Sequence, residues 1–203
     1  MDIEELKGSD NITILKDQAI ETFRDFSITS NKLTNLLAES ASQKKENFFK
    51  EFEYFFLENG FALEKLTKKS WVARYRDVEV FLNDNTPSNN EPEAYLQLEI
   101  PSKKVYSNIE ITVKSDVSER IYWKHNIENH GQILNKANFS KEINKISNSE
   151  ELEGLIKKII ENDSWYKNTI KNYADITFVY KEYNGFEEFN SFEEYFKYLK
   201  PNA

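Results

Sequence analysis

The spacing of apolar positions changes character along the chain. Between residues 70 and 126 apolar and polar side chains alternate, whereas on either side apolar residues recur every three or four positions. In 108–114, Ile109, Ile111 and Val113 point one way and Glu110, Thr112 and Lys114 the other. In 95–100, Leu96, Leu98 and Ile100 alternate with Tyr95, Gln97 and Glu99. In 120–125, Ile121 and Trp123 alternate with Arg120, Tyr122 and Lys124. The pattern predicts strands at 71–82, 93–100, 108–114 and 119–126, in an antiparallel sheet with one covered face and one polar face. The first strand changes phase. Trp71, Ala73 and Tyr75 occupy odd positions, and Val78, Val80 and Leu82 even ones. A slip of one residue turns every side chain to the other face, so a bulge or break is expected near Arg76 and Asp77.

Outside this region the period is helical. Residues 1–10 read as a frayed polar start, with Gly8-Ser9-Asp10 as a stop or cap. Ile12, Leu15, Ala19, Phe23 and Phe26 define a first helix, interrupted at 27–30. Ser30 then caps a second segment carrying Leu33, Leu36 and Leu37. A third helix, 43–59, carries Phe48, Phe49, Phe52, Phe55 and Phe56, read as core packed on the sheet, and Gly60 stands where a left-handed cap belongs. Residues 83–92 read as a loop, and 126–140 as a polar connection turning at His130-Gly131. Phe139, Ile143 and Ile146 suggest a short helix. A longer one opens at Ser149 with Leu152, Leu155, Ile156, Ile159 and Ile160, and restarts at Asp163 or Ser164. A strand follows at 175–182. The capping-box sequence Ser191-Phe192-Glu193-Glu194 begins a last helix. The expected fold is one α+β domain over residues 1–203: an antiparallel sheet of four to five strands with N- and C-terminal helices packed mainly on one face.

Composition changes this picture in three places. Fifteen Phe and 11 Tyr supply enough ring area for a core, despite a mean hydropathy of -0.71, so a disordered chain is not expected. There is no Cys, which removes disulfides, thiolate metal sites and Cys nucleophiles. The acidic start Met1-Asp2-Ile3-Glu4-Glu5 is not expected to act as a signal sequence, and no apolar run reaches the length of a membrane span. A cytoplasmic setting without membrane attachment is expected. The net charge of -8 disfavours nucleic acid as the general partner.

Candidate chemistry is sparse. No phosphate-cradling glycine loop, His-Glu-x-x-His or Gly-x-Ser-x-Gly is present. His125 and His130 are five apart and share neither a helix face nor a strand face, so no metal and no cofactor is expected. A basic stretch, Lys65, Lys68, Lys69, Arg74 and Arg76 with Trp71 and Tyr75, has the ingredients of a phosphate or nucleic-acid patch, to which Arg120 and Lys124 could add. On a sheet it is expected instead to pair with Glu79, Glu99 and Glu110.

The order of elements (helix, antiparallel strands, helix, strand) resembles that of PD-(D/E)xK nucleases. The resemblance implies a metal-dependent nuclease-like enzyme using Asp77 and Glu99 on successive strands. The position two after Glu99 is Pro101, where that family has Lys, so Lys103 or Lys114 has to substitute.

The preferred expectation is a non-enzymatic protein that binds and modulates, by inhibiting or neutralising, a basic protein partner such as a nucleic-acid enzyme or toxin. Phe186, Glu187, Glu188, Glu193 and Glu194 mix rings with acids as such an interface does.

Overall fold

A computed structural model describes residues 3–87, 93–114, 127–129 and 132–199, with the side chains of 3–9, 128 and 132 outside that description. Among these residues the chain is α+β, with four helices, a seven-stranded antiparallel sheet and a two-stranded sheet. It divides into two compact units, Met1–Leu33 with Glu119–Asp175, and Thr34–Ser118 with Ile176–Ala203.

One helix, α1 (Ile3–Glu58), contributes to both units. The expected interruptions at residues 8–10 and 27–30 do not occur. Hydroxyl groups that could have capped a helix bond backward along it instead. Thr22 Oγ1 donates to Gln18 O at 2.7 Å, Ser27 Oγ to Phe23 O at 2.8 Å and Thr29 Oγ1 to Asp25 O at 3.2 Å. Ser30 is buried within the stripe of Phe23, Phe26, Leu33 and Leu37, so the apolar face continues through it. The helix ends as the sequence predicts. Gly60 has φ +77°, its N–H donates to Leu57 O at 3.0 Å, and Phe61 N–H donates to Phe56 O at 2.9 Å. Gly60→Ala is expected to destabilise by about 1 kcal/mol, read as a lower urea midpoint at unchanged slope.

The first unit adds β6 (Ile127–Asn129), β7 (Gln132–Leu134), α2 (Phe139–Lys145) and α3 (Ser149–Lys171) to the start of α1. Phe23 stacks on Phe139 at 3.8 Å, and Phe26 meets Tyr166 edge-on at 5.5 Å. The strands β6 and β7 lie where a polar connection was expected; three residues each are too short to show alternation. The expected restart at Asp163 or Ser164 is also absent. Asp163 pairs with Lys167 one turn on, at 2.6 Å, inside a continuous helix.

In the second unit the sheet runs in chain order: β1 (Ala62–Thr67), β2 (Ser70–Tyr75), β3 (Val78–Asp84), β4 (Ala94–Ile100), β5 (Val105–Val113), β8 (Phe178–Glu182) and β9 (Glu188–Phe189). This exceeds the four to five strands expected. The phase change at Arg76 and Asp77 is neither bulge nor break within one strand but a hairpin. Tyr75 pairs with Val78 across the two-residue turn, so Trp71 faces Leu82 and Ala73 faces Val80. Odd positions oppose even ones, and both sets cover the same core. The expected strand at 119–126 and the pair His130-Gly131 lie outside the described residues.

A final helix, α4 (Phe192–Tyr198), packs through Phe192 and Phe196 on Phe48, Phe52, Phe55 and Phe56 of α1. Trp71, Leu82, Leu98 and Ser107 form one row across β2 to β5. Phe49 stacks on Trp71 at 4.0 Å, Phe48 meets Tyr180 at 4.7 Å, and the Tyr195 hydroxyl bonds Ser107. Burial raises the Tyr180 and Tyr195 phenol pKa values well above their usual range.

Candidate protein-interaction site

The start of α4 is held on α1 by polar side chains that also shape a groove. Ser191 is the N-cap and accepts from Glu194 N–H at 3.2 Å, while Glu194 Oε2 reaches back to accept from Asn190 N–H at 2.9 Å. From α1, Glu51 Oε2 accepts from Phe192 N–H at 2.6 Å, and Lys44 Nζ donates to Asn190 O at 2.9 Å. Lys44 and Glu51 are two turns apart, hence on one helix face. Lys44 also lies 4.3 Å over the Tyr180 ring. Its burial lowers the amine pKa below the usual value, against the opposing pull of the Glu51 and Glu194 carboxylates.

Beside this junction is an open groove of about 320 Å³ lined by Glu51, Tyr54, Phe55, Glu58, Asn59, Ser191 and Glu193. The lining holds three carboxylates and two rings and no basic side chain. Glu51, Tyr54, Phe55 and Glu58 recur at helical i, i+3, i+4, i+7 spacing, a second stripe beside the buried Phe48, Phe52 and Phe56. Phe55 rests edge-on against Phe192 at 5.5 Å, and Tyr54 is 68% exposed. Glu193 also meets Lys197 at 2.6 Å. Carboxylates next to an exposed tyrosine ring can accept an ammonium or guanidinium group, the ring adding a cation–π contact.

The residues nominated from sequence fall in different places. Glu193 lines the groove, and Glu194 beside it is turned back as a cap. Phe186 and Glu187 lie in the β8–β9 turn, with the Phe186 ring fully exposed, and Glu188 in β9 faces Lys181. The groove residues on α1 were not nominated. Their signal was the second helical stripe, which reads as an ordinary solvated face until α4 is placed beside it.

The basic stretch does not converge. Trp71 is buried against α1, where its Nε1–H donates to Glu53 at 3.0 Å and Lys65 lies 4.6 Å over its ring. Arg74 points to the opposite face and pairs with Glu79 at 2.8 Å and with Glu64, so the hydrogen bonds it donates to these two carboxylates raise its pKa. Arg76 sits over Tyr75 at the hairpin tip, 5.3 Å from the ring, while Lys68 and Lys69 occupy the turn between β1 and β2 at the other end of β2. Arg120, Lys124, His125 and His130 lie outside the described residues.

Asp77 and Glu99 do not meet either. Asp77 is at the hairpin tip, and Glu99 pairs with Phe81, four residues further along β3. That separation is about 13 Å along the strand, whereas a shared cation needs each oxygen within about 2.6 Å. Among the described residues no group of three or more His, Asp or Glu side chains is placed to hold a metal ion.

Compared with known proteins, the chain matches no family model, no curated protein and no solved structure. No helix among the described residues is long and apolar enough to cross a membrane.

Proposed function

We propose that this chain acts by binding rather than catalysis: a cytoplasmic protein that engages a basic protein partner and modulates it, by inhibition or neutralisation. The observation supporting this reading is the groove at the junction of α1 and α4, which Glu51, Glu58 and Glu193 line together with the exposed Tyr54 and no basic side chain. A net charge of -8 adds a long-range pull on a basic surface, which accelerates encounter and is screened by salt. Phe186, fully exposed near the end of β8, supplies a second apolar contact for the same partner.

The test is a binding assay with the tagged chain and lysate of its host at low ionic strength. A basic protein recovered at fixed stoichiometry is expected. Binding should weaken at least about tenfold in the Glu58→Lys, Glu193→Lys double variant and fall as salt is raised to about 0.5 M. Recovery that ignores both the charge reversal and salt would remove the groove from the reading. Magnesium- or manganese-dependent cleavage of DNA or RNA, lost in folded Asp77→Ala and Glu99→Ala variants, would replace binding with catalysis.

A further inference from the structure

We propose that the sheet face turned away from α1 and α4 is a platform for a neutral, hydroxyl-rich ligand, an uncharged oligosaccharide chain. The register that sets Trp71, Leu82, Leu98 and Ser107 against the core sets a row of carboxamides on the other side. Asn83 of β3 opposes Gln97 of β4, which opposes Asn108 of β5. Tyr183 extends the row past the end of β8, where its N–H donates to Asn108 O at 2.8 Å. Adjacent strands lie about 4.8 Å apart, so the row is about 14 Å long. Rings flank it on both sides. Tyr106 stands two residues before Asn108 on β5, and Gln97 Nε2 donates to its hydroxyl. Tyr95 pairs with Glu110, beyond Asn108 from Tyr106, and meets Tyr183 edge-on at 6.1 Å. Asn108 is exposed, and Tyr106 and Tyr183 are each 52% exposed.

The chemistry of this face selects its occupant. A carboxamide donates and accepts hydrogen bonds without carrying charge, as a sugar hydroxyl does. Among the described residues no side-chain hydrogen bond engages Asn83 or Asn108, so both keep their groups for a ligand. The open tyrosine faces cover the C–H face of a sugar ring, while their hydroxyls stay with the polar rim. Charge decides against a polyanion. Glu99 opposes Tyr106, and Lys181, the cation across from Glu110, is tied to that carboxylate at 3.3 Å. A phosphate chain would meet carboxylates there instead of free cations, whereas an uncharged chain is not repelled.

The experiment is calorimetric titration of the full chain with uncharged hexasaccharides of glucose, xylose and mannose, and with a thymidine oligonucleotide. At least one hexasaccharide is expected to bind, with an affinity unchanged as salt is raised to about 0.5 M, because no counterions are displaced. Asn108→Ala and Tyr106→Ala should each weaken it at least about fivefold, and Tyr106→Phe, which keeps the ring, by less. The Glu58→Lys, Glu193→Lys variant should bind as the natural chain does, since those residues line the groove between α1 and α4. Binding of none of the three sugars, or undiminished binding in an Asn108→Ala, Tyr106→Ala variant shown by circular dichroism to be folded, would overturn the proposal. Salt-sensitive binding of the oligonucleotide in place of the sugars, lost in the same variant, would assign the face to single-stranded nucleic acid and also overturn it. Each of these outcomes leaves the basic-partner reading of the groove standing.

Discussion

Phe192→Ala is expected to destabilise the second unit by about 3–5 kcal/mol, the range for removing a buried phenylalanine ring. Phe192 has no exposed surface, and its ring centre lies 5.1 to 6.0 Å from those of Phe48, Phe52, Phe55, Phe56 and Phe196. Four of these come from α1 and one from α4, so Phe192 makes most of the ring contacts between the two helices, and its loss leaves Tyr195 and Phe196 to hold α4. The vacated space can close only by moving a helix whose start is already fixed by Glu51 and Lys44. Against a total stability of about 5–15 kcal/mol, such a loss leaves the unit marginal. Urea unfolding followed by tyrosine and tryptophan fluorescence measures it. Phe186→Ala is the control: its ring is fully exposed, and a change within about 0.5 kcal/mol is expected. A Phe192→Ala loss no larger than that of Phe186→Ala would show that the ring cluster does not hold α4. The same experiment bears on function, because Ser191 and Glu193 reach the groove only if α4 stays in place.

The phenylalanine stripe behind this expectation was readable from sequence because buried helical positions keep their period whatever covers them. Phe48, Phe52 and Phe56 are all buried, and Gly60 terminates the helix with positive φ. Strands β4 and β5 were equally readable, since one face is core and the other is wet. Edge strand β1 was not. All its residues but Leu63 are exposed, so nothing forces alternation and Ala62-Leu63-Glu64-Lys65 carries no period. Continuity of α1 was hidden for a different reason. Serine and threonine suit caps and helix interiors alike, and only the backward hydrogen bonds of Thr22, Ser27 and Thr29 decide between them.

The candidate site was less legible than the fold because it is assembled from pieces distant in sequence. Glu193 and Glu194 were visible as a cap, but the groove needs Glu51 and Glu58 from a helix more than a hundred residues earlier. The basic stretch illustrates the opposite error. Lysines and arginines close in sequence were separated by pleat and hairpin, so that Trp71 and Arg74 ended on opposite faces of one strand.

Asp84→Asn is expected to destabilise by about 2–4 kcal/mol at neutral pH, and by progressively less as the solution is acidified. Asp84 closes β3 on the core side, where Lys45 of α1 donates to its Oδ2 at 2.9 Å and Thr86 N–H to its Oδ1 at 2.9 Å. Both ionic side chains are largely covered, 16% exposed for Lys45 and 11% for Asp84, so removing one charge leaves the other poorly solvated. Burial on its own raises the carboxyl pKa. The hydrogen bonds from Thr86 and Lys45, with the ammonium charge, outweigh it and hold the carboxyl below its usual 3.8. The folded state therefore binds this proton less readily than the unfolded chain does. The stabilisation is fully present above the unfolded value, begins to fall as the pH drops toward 3.8, and is gone below the lowered folded value. Urea midpoints of the natural chain and of Asp84→Asn should converge across that acid window. The Lys45→Met, Asp84→Asn double variant should recover part of the loss, because no buried ammonium is left unpaired. Parallel pH profiles for the two single-residue states, with no recovery in the double variant, would mean that the pair is solvated and does not tie α1 to the sheet.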